Sequence, residues 1–179
     1  MFFFEGVIFK KLERDQIYDL INLKNDTWQN THQITIINMQ DQEKWFDKLN
    51  STPNNPNNVI LSVYVEVDEF EWIGIYKITN IDWISRKANV AWDLFEKFRG
   101  KGFGKKLVKG GAMFCFSVLN LRRLDAEILE NNIPSISCAK STGFVQEGAK
   151  RKCIYKNGKY LNSLIFGLLI NEESKIGGV

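Results

Sequence analysis

Between residues 88 and 119 an alternating apolar run gives way to Arg99-Gly100-Lys101-Gly102-Phe103-Gly104 and then to a helical pattern; this stretch limits the fold most. A strand that ends in a glycine-rich loop and opens a helix gathers backbone N–H groups at a helix N-terminus, where the helix dipole favours negative charge. Gly100, Gly102 and Gly104 carry no Cβ, so phosphate oxygens can approach the main chain. Arg99, Lys101, Lys105 and Lys106 add positive charge around the same turn. A tight turn that holds no ligand is the plain alternative. The nucleotide-triphosphate loop, Gly-x-x-x-x-Gly-Lys-Ser/Thr, fails twice: Arg99 stands at its first glycine and Lys106 at its hydroxyl position. The dinucleotide fingerprint, Gly-x-Gly-x-x-Gly, keeps Gly100 and Gly102 but meets Lys105 at its third glycine. Asp125 lies near the distance of a ribose-binding acid, yet the repeated strand–helix units of that fold are missing upstream.

Around this stretch the periodicity is mixed. Gly6 to Leu12 reads as a strand; Ile17, Leu20, Ile21 and Leu23 then recur at helical spacing. A second short helix carries Trp45, Phe46 and Leu49, with Asp41 and Glu43 near its start. Residues 50–58, with two prolines among asparagines, read as a loop. Runs over 59–67, 72–78 and 88–94, separated at 68–69 and 80–87, read as an antiparallel meander. After the glycine-rich loop, a helix over 104–119 contains Gly110 and Gly111, each about 1 kcal/mol worse than alanine there. A neighbouring strand or a ligand must therefore approach that face. A strand over 123–129, a helix around 134–142 capped by Gly143, and strands over 144–155 and 160–170 follow. The last two are joined at Lys156-Asn157-Gly158-Lys159, and Asn-Gly is the strongest short hairpin signal. The expected organisation is one domain over 1–171 with a flexible tail over 172–179.

Composition excludes several classes. A chain of 179 residues, 44% hydrophobic, can bury about 70% of its unfolded surface without disulfides. Its 24 Lys and Arg are interspersed with 21 Asp and Glu, with none of the dense basic stripe of a nucleic-acid binder. Three widely spaced cysteines and a single histidine, His32, make no zinc motif and suit reduced thiols. Phe2 to Phe4 is interrupted by Glu5 and lacks a preceding basic segment, so no signal peptide is expected. The apolar run 164–170 is far shorter than the roughly 18 residues of a membrane span, so no membrane partner is expected and the chain reads as cytoplasmic.

A third phosphate motif, Gln/Arg-x-x-Gly-x-Gly/Ala, is met at Arg99, Gly102 and Gly104. Downstream come Asn132-Ile133-Pro134-Ser135, then Lys140-Ser141-Thr142-Gly143-Phe144 with Glu147-Gly148, and a closing hairpin at Tyr155–Tyr160. In these motifs and in its order of elements the chain resembles the GNAT acetyltransferases. Trp28-Gln29-Asn30 and Glu43-Lys44-Trp45-Phe46 resemble the early helices of two branches, which acetylate ribosomal-protein N-termini and nucleotide-linked aminosugars. The resemblance implies an α/β (α+β) fold with a central, mostly antiparallel mixed sheet, splayed in a V and flanked by about four helices. It implies acetyl-CoA as cosubstrate and transfer of its acetyl group to a primary amine of a small molecule or peptide, in a monomer or homodimer. Main-chain groups of Trp92 and Leu94 would pair with the pantetheine arm, one of them polarising the thioester carbonyl. Arg99, Gly100, Lys101, Gly102, Phe103, Gly104 and Lys105 would hold the pyrophosphate, and Asn132 with Ser135 would meet the arm from the other side. An Asn at that place is also an ordinary helix N-cap.

The chemistry requires a neutral amine, whereas an alkyl ammonium is neutral about once in 2,500 molecules at pH 7. Desolvation, a base or a water chain must remove the proton. Asp93, Glu127 and Glu130, near the ends of the splaying strands, are the candidate bases, each also readable as a solvated strand residue. Asn89 stands where relatives often carry Glu. Ala139, seven residues after Asn132, stands where many carry the Tyr that reprotonates the thiolate. Ser141, Ser135, Tyr155 or water remain for that step. A covalent route through Cys138 lacks a nearby activating histidine in the sequence. Aminosugar and protein N-terminus are balanced as acceptors, and polyamines rank third because no acidic stretch awaits a polycation. A non-catalytic CoA- or nucleotide-binding module and a dinucleotide-dependent oxidoreductase are the rivals from other classes.

Overall fold

The computed structural model describes residues 1–33, 36–49, 51, 56–66 and 70–170; the expected turn at 68–69, most of the loop at 50–58 and the tail lie outside them. Eight strands form one sheet in the order β1-β2-β3-β4-β5-β6-β8-β7. They are β1 (Phe2–Phe4), β2 (Val7–Lys11), β3 (Val59–Glu66), β4 (Phe70–Asp82), β5 (Lys87–Leu94), β6 (Arg123–Leu129), β7 (Val145–Lys156) and β8 (Lys159–Leu169). Four helices accompany them: α1 (Ile17–Thr27), α2 (Met39–Leu49), α3 (Phe103–Ser117) and α4 (Ile133–Ser141). Short 3-10 turns cover Trp28–Asn30 and Glu96–Phe98.

Strand alternation sorts the core onto two faces. Ile60 and Ile75 join Ile17, Leu20, Leu23 and Phe46 of α1 and α2. Their neighbours Leu61 and Tyr76 join Leu107, Val108, Ala112 and Cys115 of α3 on the other side. The meander β3-β4-β5 is antiparallel as expected, with β4 longer than the run 72–78 that its apolar residues mark. The N-terminus differs from its sequence reading: Phe2–Phe4 is a strand paired with β2 through a turn at Glu5 (φ 44) and Gly6 (φ 79).

Gly110 and Gly111 explain themselves in this packing. A Cβ on Gly110 would lie 2.5 Å from the Phe9 ring, and one on Gly111 would lie 2.5 Å from the ring of fully buried Tyr76. The close neighbour of α3 is thus the sheet. Gly111→Ala is expected to destabilise by about 1–3 kcal/mol, because overpacking exceeds the helix-propensity gain. Thermal denaturation should show a drop in Tm of several degrees, and a raised Tm would contradict this packing account.

One junction creates the site. All neighbouring strands are antiparallel except β5 and β6, which pair only at Lys87↔Arg123, Ala88↔Leu124 and Asn89↔Asp125. Beyond Asn89, β5 stays on β4 as far as Leu94, while β6 stays on β8 as far as Leu129. Each strand keeps its outer partner and loses its inner one, so the sheet opens into a V.

Candidate active site

Two connected cavities fill the V, of about 210 Å³ and 550 Å³, sharing Thr27, Asn30, Thr31, Trp92, Asp93, Asn132 and Ser135. The larger is also lined by Leu94, Arg99, Gly100, Gly102, Gly104, Lys105, Cys138 and Ser141. Its floor is the turn into α3. Gly100 (φ 72) and Gly102 (φ 82) are left-handed, and a Cβ on either would meet no atom within 4 Å. These glycines satisfy backbone geometry and leave space for a ligand. Gly104 has a different reason: a Cβ there would crowd Leu94 at 3.3 Å. The first amides of a helix have no intrahelical acceptor, and α3 presents them at this cavity. Arg99 Nε donates to the Leu94 carbonyl (3.1 Å), bracing the loop against the end of β5. Phe103 packs edge-on against Phe98 (5.8 Å), so only its main chain is available to a phosphate, and Lys101 is exposed outside the cavity lining. The left-handed glycines, the open space above them and the basic rim fit a pyrophosphate-bearing ligand such as acetyl-CoA.

On the opposite wall, Asn132 caps α4, accepting from the Ser135 N–H (3.3 Å) and donating to the Asn30 carbonyl (3.0 Å). The helix-cap reading of Asn132 therefore describes its contacts, and its amide group also ties down the α1–α2 connection. Ser141 Oγ donates to the Cys138 carbonyl (2.9 Å). Ala139 is fully buried in the core, so a cleft-facing acid does not belong at that position; Ser135, Cys138 and Ser141 face the cleft instead. Asn89 is exposed and lines neither cavity. Glu130 is occupied in structure, accepting from the main chain (2.9 Å) and side chain (2.8 Å) of Asn162. Burial pushes the Cys138 thiol up to about 11, which leaves it a poor nucleophile.

The smaller cavity holds most of the titratable chemistry. Asp93 is not a solvated strand residue: it is buried and accepts from Lys77 Nζ at 2.7 Å. Glu127 accepts from Lys150 and, at 3.2 Å, from Ser163 Oγ. Burial alone would raise the Glu127 carboxyl, but the Lys150 hydrogen bond and charge bring it below its ordinary value. His32 stands beside them, with Nε2 2.8 Å from Ser163 Oγ and 3.9 Å from Glu127 Oε2. Burial lowers the His32 pKa, with Glu127 opposing the shift. Lys156 pins the segment that carries His32, donating to the carbonyls of Trp28 (2.8 Å) and Gln33. His32, Lys24 and Lys77 are absent from the sequence-based candidates. A lone histidine 131 residues from Ser163 carries no local signal of such a contact. Among the described residues no group of three or more His, Cys, Asp or Glu could hold a metal ion, and no helix is long and apolar enough to cross a membrane.

A cleft between parted strands, with an open, left-handed glycine turn and a basic rim at one end and an ionisable pocket at the other, is the arrangement of an acyl-CoA-dependent transferase. Comparison with known proteins agrees. Residues 7–145 match the acetyltransferase (GNAT) domain. The chain is 30% identical over 131 residues to the SPbeta prophage-derived uncharacterized N-acetyltransferase YokL of Bacillus subtilis, covering 67% of this chain and 74% of that protein. It is 25% identical over 153 residues to a spermidine N(1)-acetyltransferase of Vibrio cholerae, covering 84% and 86%. A crystal structure of the Vibrio cholerae spermidine N-acetyltransferase in complex with CoA and spermine superposes with a TM-score of 0.84 over 94% of this chain and 98% of that one, at 20% identity. The chain belongs to the GNAT acetyltransferase family and is an acetyl-CoA-dependent acyltransferase.

Proposed function

We propose that this transferase acetylates a small primary amine or peptide N-terminus by direct attack, that the acceptor enters through the smaller cavity, and that His32 takes its proton. The contact that supports this most is His32 against Ser163 and Glu127. With Ser163 Oγ donating to Glu127, the serine oxygen accepts from His32 Nε2–H. That tautomer leaves the Nδ1 lone pair as the proton acceptor. Glu127, kept ionised by Lys150, then acts as a positioning residue for the imidazole rather than as the base. Asp93, expected above as a candidate base, is matched by Lys77 and serves the same wall.

Acetyl-CoA supplies the activated acyl group. The amides at Gly100 to Gly104, with Arg99 and Lys105, hold its pyrophosphate, and the inner edge of β5 around Trp92 and Leu94 receives the pantetheine arm. Neutral His32 accepts one proton from the amine as its nitrogen bonds to the acyl carbon. The departing thiolate, with a pKa near the ~8.5 of cysteine, regains one from water, directly or through Ser141 on the larger cavity's wall. The proton taken by His32 returns to the hydroxide left behind, so that neutral amine and thioester give amide and thiol. Asn89 and Ala139 are the two departures from the family pattern that would favour a non-catalytic module. Both lie off the cleft, so neither removes a group from it.

The test is incubation with acetyl-CoA and a mixed pool of amines, following thiol release and identifying acetylated products by mass spectrometry. Thiol release matched by one class of acetylated amine is the expected result. CoA binding with no amine-dependent thiol release would reduce the protein to a binding module. The Vibrio cholerae relative has a dodecameric structure, and light scattering tests the monomer or homodimer expected here.

A further inference from the structure

The acceptor's charge can be taken further, resting on the transferase reading above. We propose that the acceptor carries an oxyanion, a phosphate or carboxylate, at the end away from its amine, and that Lys24 of α1 receives it in the smaller cavity. The carboxylates lining that cavity are already matched: Asp93 by Lys77 at 2.7 Å, and Glu127 by Lys150. Lys77 is matched by the same contact. Lys24 remains, a half-buried ammonium that has no carboxylate within ion-pair distance among the described residues. Its contacts are Gln42 Oε1 at 2.9 Å and the face of Trp45, 3.7 Å from the ring centre.

A buried cation with a neutral partner is costly unless a counter-charge arrives. Burial, with Lys77 next, pushes the Lys24 amine down to about 7 against the pull of Asp93. An oxyanion on the acceptor would restore the Lys24 charge and anchor one end of the molecule while its amine lies toward His32 across the cavity. A polyamine would bring cations to a pocket whose carboxylates are taken, against Lys24 and Lys77. The fold shared with the spermidine enzyme therefore does not carry its acceptor's charge with it.

The experiment measures kcat/KM with glucosamine 6-phosphate, an ω-amino acid, glucosamine and spermidine at fixed acetyl-CoA. The phosphate- or carboxylate-bearing amine is expected to exceed glucosamine at least tenfold, which also tells the two anion sources apart, with spermidine lowest. Lys24→Met keeps the apolar stem over Trp45 and is expected to cut the anionic-to-neutral ratio at least tenfold. Spermidine turning over as well as the anionic amines would overturn the proposal, as would a Lys24→Met ratio equal to that of the wild type. If none of the four is acetylated, the small-amine acceptor of the proposed function fails on its own. The anion site is then read by calorimetric titration of glucosamine 6-phosphate and glucosamine into the CoA-loaded protein, where equal affinities overturn it.

Discussion

Gly102→Val is expected to weaken acetyl-CoA binding at least ~100-fold, about 2.7 kcal/mol, while the protein still folds. Gly102 sits at the mouth of α3 with φ 82, and an added Cβ meets no protein atom within 4 Å. Its Cβ would clash with nothing in the protein, and the side chain would fill the space through which phosphate oxygens reach the loop amides. The left-handed backbone adds strain of about 1–2 kcal/mol for a residue with a Cβ, so Tm should fall by only a few degrees. Calorimetric titration with acetyl-CoA together with a thermal melt separates the two effects. Gly102→Ala, with less bulk at the same φ, should show the same strain and a smaller binding loss. Affinity within threefold of wild type in the folded valine variant would remove the pyrophosphate from this turn.

Loss of the imidazole should have the second large effect. His32→Ala is expected to lower kcat/KM at pH 7 by about 10²–10³, the range of a positioned general base. The KM for acetyl-CoA should hold, because His32 lines only the acceptor cavity. The pH profile carries a sharper sign. Neutral imidazole is the active form, and burial lowers the His32 pKa from 6.5. The contribution of His32 should therefore be complete at neutral pH and fall as pH drops through a value below 6.5, and that acid limb should vanish in the variant. Added imidazole should restore part of the rate. A wild-type acid limb that survives in His32→Ala would assign the titration to another group and end the role given to His32.

Parts of the molecule were legible because their constraints are local. Asn157-Gly158 predicts a two-residue hairpin turn, and both residues adopt positive φ (48 and 79) between β7 and β8. The strand over 123–129 follows from its apolar alternation, as does the meander. Glu5-Gly6 makes a turn of the same hand, but Phe2 to Phe4 is three residues long and uniformly apolar, so its pattern could not mark a strand. Gly110 and Gly111 announced a close neighbour without naming it; Phe9 and Tyr76 come from strands far along the chain. Ala139 was read by its spacing from Asn132, and only the turn of α4 shows that it faces the core.

The primary structure by itself determined the glycine turn into α3, since left-handed Gly100 and Gly102 and the basic Arg99 and Lys101 fall within consecutive residues and the helix follows at once. It also determined the sheet-rich architecture, through periodicities that each segment carries alone. Tertiary structure decided the smaller cavity: the parting of β5 from β6, the meeting of His32 with Ser163 and Glu127, and a Lys24 with no carboxylate partner among the described residues. Those features depend on which distant strands pair and on which carboxylates already have partners. Coulomb and hydrogen-bond interactions act over a few ångströms of space, whatever the number of residues along the chain between their partners.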